Sequence, residues 1–530
     1  MNRTHVQLLI VGSGFAGSLM AMIARRLGYS TLLVERGKHP RFAIGESSTP
    51  LANLLLEEIA TDYDLPGVRP LCKWGTWQVK TPHIACGLKR GFTFYHHQLG
   101  RPFEPDPERE RQLLVGASPN EEIADTHWYR PDFDHYLVEQ AQALGVDFLD
   151  EIELTAATQK EHGMLLRGKR YNQPVEFLAD FVIDASGPRG FLHRVLTLPE
   201  KNVAAMPATQ ALFSHFKNVA PLEDTFCADG LLPPYPPEQA AVHHIFEGGW
   251  IWVLKFNNGV TSAGVAATGE LAQKLELRSG EPAWRRLMDQ LPSLATSFSD
   301  APSIIPFVFM PRVSFQSGRL IGPSWALLPS AAGVIDPLLS TGFPLTLLGI
   351  VRLARMLELH GKKSSFQTAL EEYAQQTTLE LETTACLVGA CYATMQRFDL
   401  FKPLTVLYFA AASYAETARR LGKGHLANGF LLCNHKRFYN GLQQVCDMVL
   451  KKAPTLTENA LTKFVHELIA PFDVAGLTDP TRHPWYPARP ADLLASAQKL
   501  GATQDEMVSM LRKCQIIPGR DLSNPCEVVA

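Results

Sequence analysis

The first 37 residues switch between two hydrophobic periods. Residues 6–11 form an almost continuous apolar run, which is typical of a strand buried on both faces of a parallel sheet. Residues 15–27 are rich in Ala, Leu and Met and predict a helix. A second short strand is predicted over residues 30–34 and ends at Glu35. This order of strand, helix and strand predicts the opening of an α/β fold with a parallel sheet.

Later patterns predict a second sheet and a helical region. The run GGWIWVLKF over residues 248–256, followed by Asn258-Gly259, predicts a β-hairpin. From residue 361 onward, apolar residues recur at spacings of three and four, which predicts helices. The predicted division is an α/β domain in two parts (1–204 and 305–360), a mostly antiparallel sheet (205–304) and a helical C-terminal region (361–530).

Composition narrows the class of protein. The chain has 530 residues, of which 46% are hydrophobic and 19% charged, as in a globular protein with a large core. Its net charge of −3 and the lack of a dense basic patch argue against nucleic-acid binding. The apolar stretches 326–334 and 404–412 are shorter than the ~20 residues of a membrane helix, so no membrane partner is predicted. Nine scattered cysteines without a CxxC pair favour a reducing, cytoplasmic location.

A glycine-rich turn joins the first strand to the first helix, reading Gly12-Ser13-Gly14-Phe15-Ala16-Gly17. Such glycines let the backbone approach a pyrophosphate, whose charge lies at the helix N-terminus. Glu35, followed by Arg36, can accept hydrogen bonds from ribose hydroxyls. The pattern therefore predicts an adenine dinucleotide, either NAD(P) or FAD. The alternative is that the glycines only pack the helix against the strand.

Several further segments carry a family resemblance. These are HPRFAIGESSTP (39–50), HWYRPDFDHYLVEQAQALGV (127–146), DFVIDASGPRG (180–190), Trp-x-Trp (250–252) and DPLLSTG (336–342). Together they resemble the FAD-dependent monooxygenase-like superfamily and, within it, the flavin-dependent halogenases. The resemblance covers about residues 1–360. It implies a Rossmann-type FAD domain of the aromatic-hydroxylase/halogenase type, a substrate-side antiparallel sheet and a helical C-terminal region.

The resemblance also implies cofactors and partners. These are FAD and a halide ion (chloride or bromide), a separate flavin reductase that supplies reduced FAD, and a small aromatic substrate that is free or tethered to a carrier protein. Such enzymes act in antibiotic biosynthesis. No second glycine-rich unit for NAD(P)H is found in the sequence, which fits the separate reductase.

Several residues take cofactor or halide roles by this resemblance. Besides residues 12–17, Glu35 and Arg36, the expected FAD contacts are Ser47, Ser48, Arg130, Ser330, Asp336 and Gly342. The expected halide site is Ser340, Thr341 and Gly342. Two alternatives stay open: Arg130 and Asp134 could form a surface ion pair, and Gly342 could be a turn glycine only.

The family places a lysine between the flavin and the substrate, where it directs hypohalous acid. The candidates after the GESSTP segment are Lys73, Lys80 and Lys89. Lys73 is preferred because its Lys-x-Gly context is similar to that of halogenases acting on phenols or pyrroles, and Lys80 is the second choice. The alternative is that all three are solvated surface lysines.

The sequence departs from the family pattern in three places. The W-x-W-x-I-P signature keeps Trp250 and Trp252 but ends in Leu254-Lys255. Because residues two apart share one face of a strand, the two tryptophans are expected to line the substrate path, or else only to pack the sheet. Pro329-Ser330 replaces Gly-Asp in a flavin-binding segment. Leu339 stands where tryptophan-type halogenases carry glutamate, which favours a phenolic or pyrrolic substrate.

No metal site is predicted. His243 and His244 are adjacent on a predicted strand, so their side chains face opposite sides, and the sequence offers no obvious third ligand. The predicted function is a FAD-dependent halogenase. The alternatives are a flavin-dependent hydroxylase or reductase without halide chemistry, and a flavin-binding protein without catalysis.

Overall fold

The computed structural model describes residues 4–222, 226, 232–361, 363–452 and 455–518. Cys227 and Cys526 lie outside them. The strands, numbered in chain order, are β1 Thr4–Val11, β2 Thr31–Val34, β3 Cys86–Lys89, β4 Gly91–His96, β5 Gln112–Gly116, β6 Asp125–Trp128, β7 Asp147–Leu149, β8 Ile152–Gln159, β9 Met164–Arg170, β10 Gln173–Asp184, β11 Thr209–Lys217, β12 Ala241–Phe246, β13 Gly249–Lys255, β14 Val260–Thr268, β15 Val308–Met310, β16 Phe315–Gln316, β17 Ile321–Gly322, β18 Trp325–Leu327, β19 Gly333–Val334 and β20 Trp485–Tyr486.

The α-helices are α1 Phe15–Arg26, α2 Pro50–Asp62, α3 Trp74–Lys80, α4 Arg130–Ala143, α5 Phe191–Val195, α6 Gly269–Lys274, α7 Glu281–Asp289, α8 Pro292–Phe298, α9 Pro329–Ala332, α10 Gly342–His360, α11 Phe366–Ala393, α12 Phe398–Arg420, α13 Lys436–Lys452, α14 Glu458–Ile469, α15 Pro490–Ala495 and α16 Gln504–Lys513.

The first sheet has eight strands around β1, which pairs in parallel with β2 on one side and β10 on the other. Leu9 and Ile10 of β1 have no exposed surface, as their continuous apolar run predicts. Strand β18 returns to this sheet beside β10. The parallel core strands β1, β2 and β10 bring their C-terminal ends to one edge, where a doubly wound sheet binds ligands.

The second sheet has the order β15-β11-β14-β13-β12-β4-β5-β20 and is antiparallel except at the β12/β4 and β5/β20 pairs. The predicted hairpin is β13–β14, and its turn places Gly259 at φ +77°. Strands β4 and β5 come from the first 204 residues and β20 from the last 50. Strand β15 comes from the predicted return segment 305–360, so the sheet draws on all four predicted sequence divisions.

The C-terminal helices pack on both the α10 helix and the second sheet. The apolar helix over Leu338–His360 is long enough to span a membrane, but 72% of its apolar window is buried within the fold, as expected of a core helix. Helix α11 packs against α10, and Phe409 of α12 packs edge-on against Phe92 and Phe94 of β4.

Capping residues in the sequence mark the N-termini of two other helices, α2 and α16. Thr49 caps α2 ahead of Pro50, and Thr503 forms a reciprocal capping box with Glu506.

Candidate active site

A cavity of about 630 Å³ lies between the edge of the first sheet and the face of the second. Its walls include the glycine-rich turn, the end of β2, the GESSTP segment, residues 185–194, the β13 tryptophans and residues 329–346. Predicted site residues that line it are Gly12, Gly14, Phe15, Ala16, Glu35, Arg36, Ser47, Arg130, Trp250, Trp252, Ser330, Asp336, Ser340, Thr341 and Gly342. The fold thus gathers most of the predicted site around one space.

The three glycines of the turn have different roles. A Cβ on Gly12 would lie 2.8 Å from the carbonyl oxygen of Ala185, and a Cβ on Gly17 would lie 1.8 Å from that of Gly12. These two positions need glycine because backbone meets backbone there. At Gly14 the atoms nearest to a built Cβ are side-chain ends of Arg130 at 3.4 Å, Asp134 at 3.7 Å and Arg41 at 3.8 Å. Gly14 therefore faces the cavity beside two guanidinium groups and one carboxylate.

Glu35 is held in its ionised form at the end of β2. Its carboxylate accepts hydrogen bonds from the N–H groups of Ser13 at 3.0 Å and Gly37 at 2.9 Å and lies 3.2 Å from Arg41. Burial alone would raise the pKa of Glu35, but Arg41 and the N–H donors outweigh it and lower the pKa to about 2. Arg41 is not among the predicted site residues, and its only signal in the sequence is a basic residue within the HPRFAIGESS segment.

Arg130 is part of a buried ion pair, so the surface alternative is wrong. It makes two hydrogen bonds to Asp134, at 2.8 and 2.7 Å, and the two side chains are 7% and 0% exposed. Its remaining nitrogen donates to the carbonyl oxygen of Gly45 at 2.8 Å. Arg130 therefore fixes the start of the GESSTP segment to α4 while its guanidinium lines the cavity.

Glu46, the next residue of this segment, forms a second buried pair. Its Oε1 lies 2.7 Å from Nε2 of His215 on β11, and both side chains are almost fully buried. Ser48 donates a hydrogen bond to the carbonyl oxygen of Thr126 at 2.7 Å. These contacts tie the segment to β11 of the second sheet and to β6, which pairs with β3 in a separate two-stranded sheet. Ser48 is thereby engaged with the protein, and Ser47 is the serine that lines the cavity.

Lys89 is fully buried behind the GESSTP segment. Its Nζ donates to Ser47 Oγ at 2.8 Å and to the Ser48 carbonyl oxygen at 2.5 Å, and it lies 3.7 Å from the centre of the Phe92 ring. Burial lowers the pKa of Lys89, and the charge of Asp125 opposes that effect. Lys89 is the candidate lysine in direct contact with the cavity wall.

The two preferred lysines lie elsewhere. Lys73 is the half-buried residue that precedes α3, and Lys80 is exposed at the end of that helix. Neither belongs to the described lining of the large cavity. The Lys-x-Gly context of Lys73 has a structural cause instead, because a Cβ on Gly75 would lie 2.6 Å from the carbonyl oxygen of Glu122.

Trp250 and Trp252 line the cavity side by side, with ring centres 5.8 Å apart. Trp250 stacks on His243 at 5.1 Å, and Trp252 Nε1 donates to Ser262 Oγ at 3.3 Å. Leu254 continues the same wall. Lys255, in the place of the signature proline, forms an ion pair of 2.7 Å with Glu238. The tryptophans thus both pack the sheet and face the cavity.

The Ser-Thr-Gly segment precedes α10. Thr341 is buried at the N-cap position, and Gly342 is the first helical residue. Among the described residues, no other atom lies within 4 Å of a Cβ built on Gly342. Ser330 Oγ is buried at the same cavity wall and has no hydrogen-bond partner in the described part of the chain.

A second cavity of about 130 Å³ lies behind Lys89. The aromatic part of its wall consists of Phe92, Tyr408 and Phe409, and its polar part includes Glu416 and Arg420. Because Ser47 lines the large cavity and Phe92 the small one, Lys89 contacts one wall residue of each. No local pattern predicts this cavity, since its walls combine β4 with residues of α12 more than 300 positions later.

The tryptophan halogenase family model matches residues 126–402, which is more than half of the chain. The chain belongs to this halogenase family. Monodechloroaminopyrrolnitrin halogenase PrnC of Pseudomonas fluorescens is 28% identical over 404 residues, which are 75% of this chain and 69% of PrnC. Tetracycline 7-halogenase of Kitasatospora aureofaciens is 28% identical over 418 residues, which are 76% of this chain and 73% of that enzyme.

The fold of this halogenase-family chain matches a solved halogenase. The structure of halogenase PltM in complex with phloroglucinol and FAD superposes with a TM-score of 0.77 at 24% identity, over 89% of this chain and 98% of PltM. The predicted family, fold class and class of enzyme are confirmed. No cluster of metal-ligating side chains occurs among the described residues. His243 and His244 do face opposite sides of β12, toward Trp250 and His97 respectively.

Proposed function

We propose that this chain is a halogenase that uses reduced FAD, O2 and chloride or bromide to halogenate a phenolic or pyrrolic compound. The observation that carries the proposal is Lys89, a buried ammonium in contact with the walls of two cavities. In this proposal the large cavity holds the cofactor and the halide, and the small cavity holds the aromatic substrate.

The large cavity fits FAD. Gly14 leaves backbone open to a pyrophosphate, and the guanidinium groups of Arg41 and Arg130, each paired with a carboxylate, lie beside it as hydrogen-bond donors. The unpartnered Ser330 Oγ is available to a ligand hydroxyl, so the loss of the usual aspartate leaves one polar group in its place. Reduced FAD, when bound, would supply two of the four electrons that reduce O2, and the halide ion would supply the other two, so that reduced FAD, O2, halide and a proton give oxidised FAD, hypohalous acid and water.

The halide is expected at Thr341 and Gly342. The N-terminus of the 19-residue helix α10 carries free N–H groups and a partial positive charge, which favour an anion. The open space at Gly342 gives that anion room. Ser340 lines the same space and completes the predicted triplet.

Lys89 is proposed to hold hypohalous acid beside the substrate. An ammonium has three protons, and two of them are donated to Ser47 and Ser48. The third can donate to the oxygen of hypohalous acid, which makes the halogen more electrophilic. The aromatic carbon then bonds the halogen, the halogen–oxygen bond breaks, and the displaced ring proton leaves with the hydroxide as water. Lys73 and Lys80 remain predictions that the geometry favours less.

The substrate class follows from the small cavity. Its volume of about 130 Å³ compares with the roughly 150 Å³ of a cavity that binds benzene. Its aromatic walls suit a single electron-rich ring. The relatives support this class, because PrnC is a halogenase of an aminopyrrolnitrin and another relative is a chlorinase of a pyrrole-2-carbonyl group on a peptidyl carrier protein. A role in antibiotic biosynthesis, a carrier-bound substrate, a flavin reductase partner and a cytoplasmic location belong to the same proposal.

The test is a turnover assay with purified protein, a flavin reductase, NADH, FAD and bromide over a panel of phenols and pyrroles. Mass spectrometry should find brominated products. Lys89→Ala should abolish bromination while it preserves FAD binding, and the matched control Lys73→Ala should remain active. Hydroxylated products would favour a hydroxylase, and bound FAD without turnover would favour a non-catalytic flavin protein. Full bromination by Lys89→Ala would overturn the role of Lys89.

A further inference from the structure

The carboxylate of Asp336 is a buried hub beside the proposed halide site. Oδ1 accepts hydrogen bonds from the N–H of Leu338 at 3.0 Å and from Trp250 Nε1 at 3.2 Å. Oδ2 accepts from Thr209 Oγ1 at 3.0 Å and from the Tyr392 hydroxyl at 2.9 Å. Protein donors therefore occupy this carboxylate, which joins β11, β13, α11 and the segment that leads to α10.

That segment follows an unusual backbone path. Leu339 and Ser340 have φ of +65° and +54°, so two consecutive non-glycine residues lie in the left-handed region. This conformation is unfavourable for non-glycine residues and persists only where the surroundings hold it. The bond from the Leu338 N–H to Asp336 holds the segment immediately before this strained pair. The orientation of Asp336 thus sets the path of the chain into Thr341 and Gly342.

Tyr392 determines the orientation of Asp336 from outside the two sheets. Its hydroxyl has one proton, which it donates to Asp336 Oδ2, and it accepts the Trp250 Nε1 proton at 2.9 Å. Tyr392 lies in the C-terminal third of α11, in the region that the sequence characterises only as helical. Through these two hydrogen bonds, Tyr392 links Trp250 of β13 to Asp336, which precedes the Ser-Thr-Gly segment.

We propose that Tyr392 is a positioning residue for halide binding. By fixing Asp336, it holds the Leu338–Ser340 path that presents the backbone of Thr341 and Gly342 to the anion. This inference rests on the proposed halogenase function and on the halide site at the start of α10. It does not require Tyr392 to touch FAD, halide or substrate.

The test is Tyr392→Phe, which removes only the hydroxyl. The bromide KM should rise about five- to tenfold, which is less than the full effect of losing a hydrogen bond to a charged group, because Tyr392 acts on the anion only through Asp336. The aromatic-substrate KM and the FAD Kd should stay within about twofold. Thr209→Val removes the other donor to the same carboxylate oxygen and should shift the bromide KM in the same direction. It also provides a second variant if Tyr392→Phe folds poorly.

The matched control is Tyr373→Phe. Tyr373 is a buried tyrosine of the same helix, and its hydroxyl donates to the carbonyl oxygen of Leu327 at 2.7 Å, away from Asp336. It should lower Tm without changing the bromide KM. An active wild type whose Tyr392→Phe variant keeps its bromide KM would overturn this inference alone. Equal losses in every kinetic constant, matched by the Tyr373→Phe control, would also overturn it. A wild type that makes no halogenated product would overturn the proposed function instead.

Discussion

The space around each glycine shows whether the fold requires a residue without a side chain there or a ligand could use the space. A Cβ at Gly17 or Gly349 would enter space held by backbone or by the Pro329 ring, the latter at 2.2 Å. A Cβ at Gly342 would meet no other atom within 4 Å in the described part of the chain. These glycines cannot be distinguished in the sequence, because the difference lies in the atoms that the fold places beside each of them.

Gly342→Ala should therefore leave stability intact and weaken halide binding. Gly342 has helical backbone angles at the start of α10, where alanine is at least as favourable as glycine. The added methyl group enters the space assigned to the anion, so we expect the halide KM to rise at least tenfold with Tm unchanged. The control Gly349→Ala, on the same helix, should lower Tm because of the Pro329 contact. A normal halide KM in Gly342→Ala would place the halide elsewhere.

The charge of Asp125 should tune Lys89. Burial lowers the pKa of Lys89 and raises that of Asp125, while each favours the charged form of the other. If protonated Lys89 is the active form, halogenation declines as pH rises through its pKa. Asp125→Asn removes the opposing charge, so this decline should move to lower pH. A pH profile of kcat/KM measures it, and the exposed Lys80→Ala variant should retain the wild-type profile. If activity declines at the same pH in Asp125→Asn as in the wild type, Asp125 does not influence the catalytic group.

At the level of elements, periodic patterns predicted individual strands and helices but not their partners. The hairpin around Trp250 followed from its apolar run and an Asn-Gly turn, and α1 from the apolar pattern over residues 15–27. The placement of β4 beside β12 did not follow, because a parallel pairing 150 residues apart leaves no local signal. For the same reason the sequence does not favour Lys89 among the three candidate lysines. Its burial depends on that pairing, although the flanking ACGLKRGF run, poor in charge before the lysine, was a hint.

Filling the small cavity should block the aromatic substrate and spare the cofactor. Ala412 of α12 lines that cavity and does not line the large one. Ala412→Phe adds a ring to a space of about 130 Å³, so turnover of phenols and pyrroles should fall at least tenfold while the FAD Kd is unchanged. The same substitution at the exposed Ala460 of α14 is the control and should be silent. Undiminished turnover in Ala412→Phe would remove the small cavity as the substrate site.

At the scale of the whole molecule, the C-terminal region completes the site rather than merely covering it. Helix α11 contributes Tyr392 to the Asp336 hub, and α12 contributes Tyr408 and Phe409 to the small cavity. The family resemblance ended near residue 360, because helices that contact a site through scattered single residues retain no contiguous motif. The sequence therefore predicted the family, the fold class and the cofactor-side segments. The second cavity and its lysine needed three-dimensional contacts.

Buried histidines should make the whole fold sensitive to acid. Five lie along β4, β6 and β12 or just beyond β4, and burial lowers the pKa of each: His96, His97, His127, His243 and His244. In the unfolded chain these groups take up protons near their ordinary pKa of about 6.5. Stability is therefore retained above that pH and lost as pH falls below it, by about 2 kcal/mol per histidine between pH 7 and 5.

Three buried carboxyl groups act in the opposite direction. Burial raises the pKa of Asp336 to about 6 and also raises those of Asp125 and Asp184. On acidification these carboxyl groups therefore bind protons in the folded state before they do so in the unfolded chain, which favours the folded state. For Asp336 this gain is about 1 kcal/mol between pH 7 and 5, and three carboxyl groups offset only part of the loss from five histidines. We expect the free energy of unfolding, measured with urea from pH 7.5 to 5, to fall steeply below pH 6.5.

One substitution isolates this effect. His96 Nε2 lies 3.1 Å from the carbonyl oxygen of Met395, and a glutamine amide can donate the same bond without titrating. Burial lowers the pKa of His96 to about 4, so His96→Gln should remove one proton from the uptake on unfolding between pH 6.5 and 4. The slope of unfolding free energy against pH should then decrease by about 1.4 kcal/mol per pH unit. The exposed His162→Gln is the matched control and should leave the slope unchanged. An equal slope in wild type and His96→Gln would show that the acid response arises from other groups.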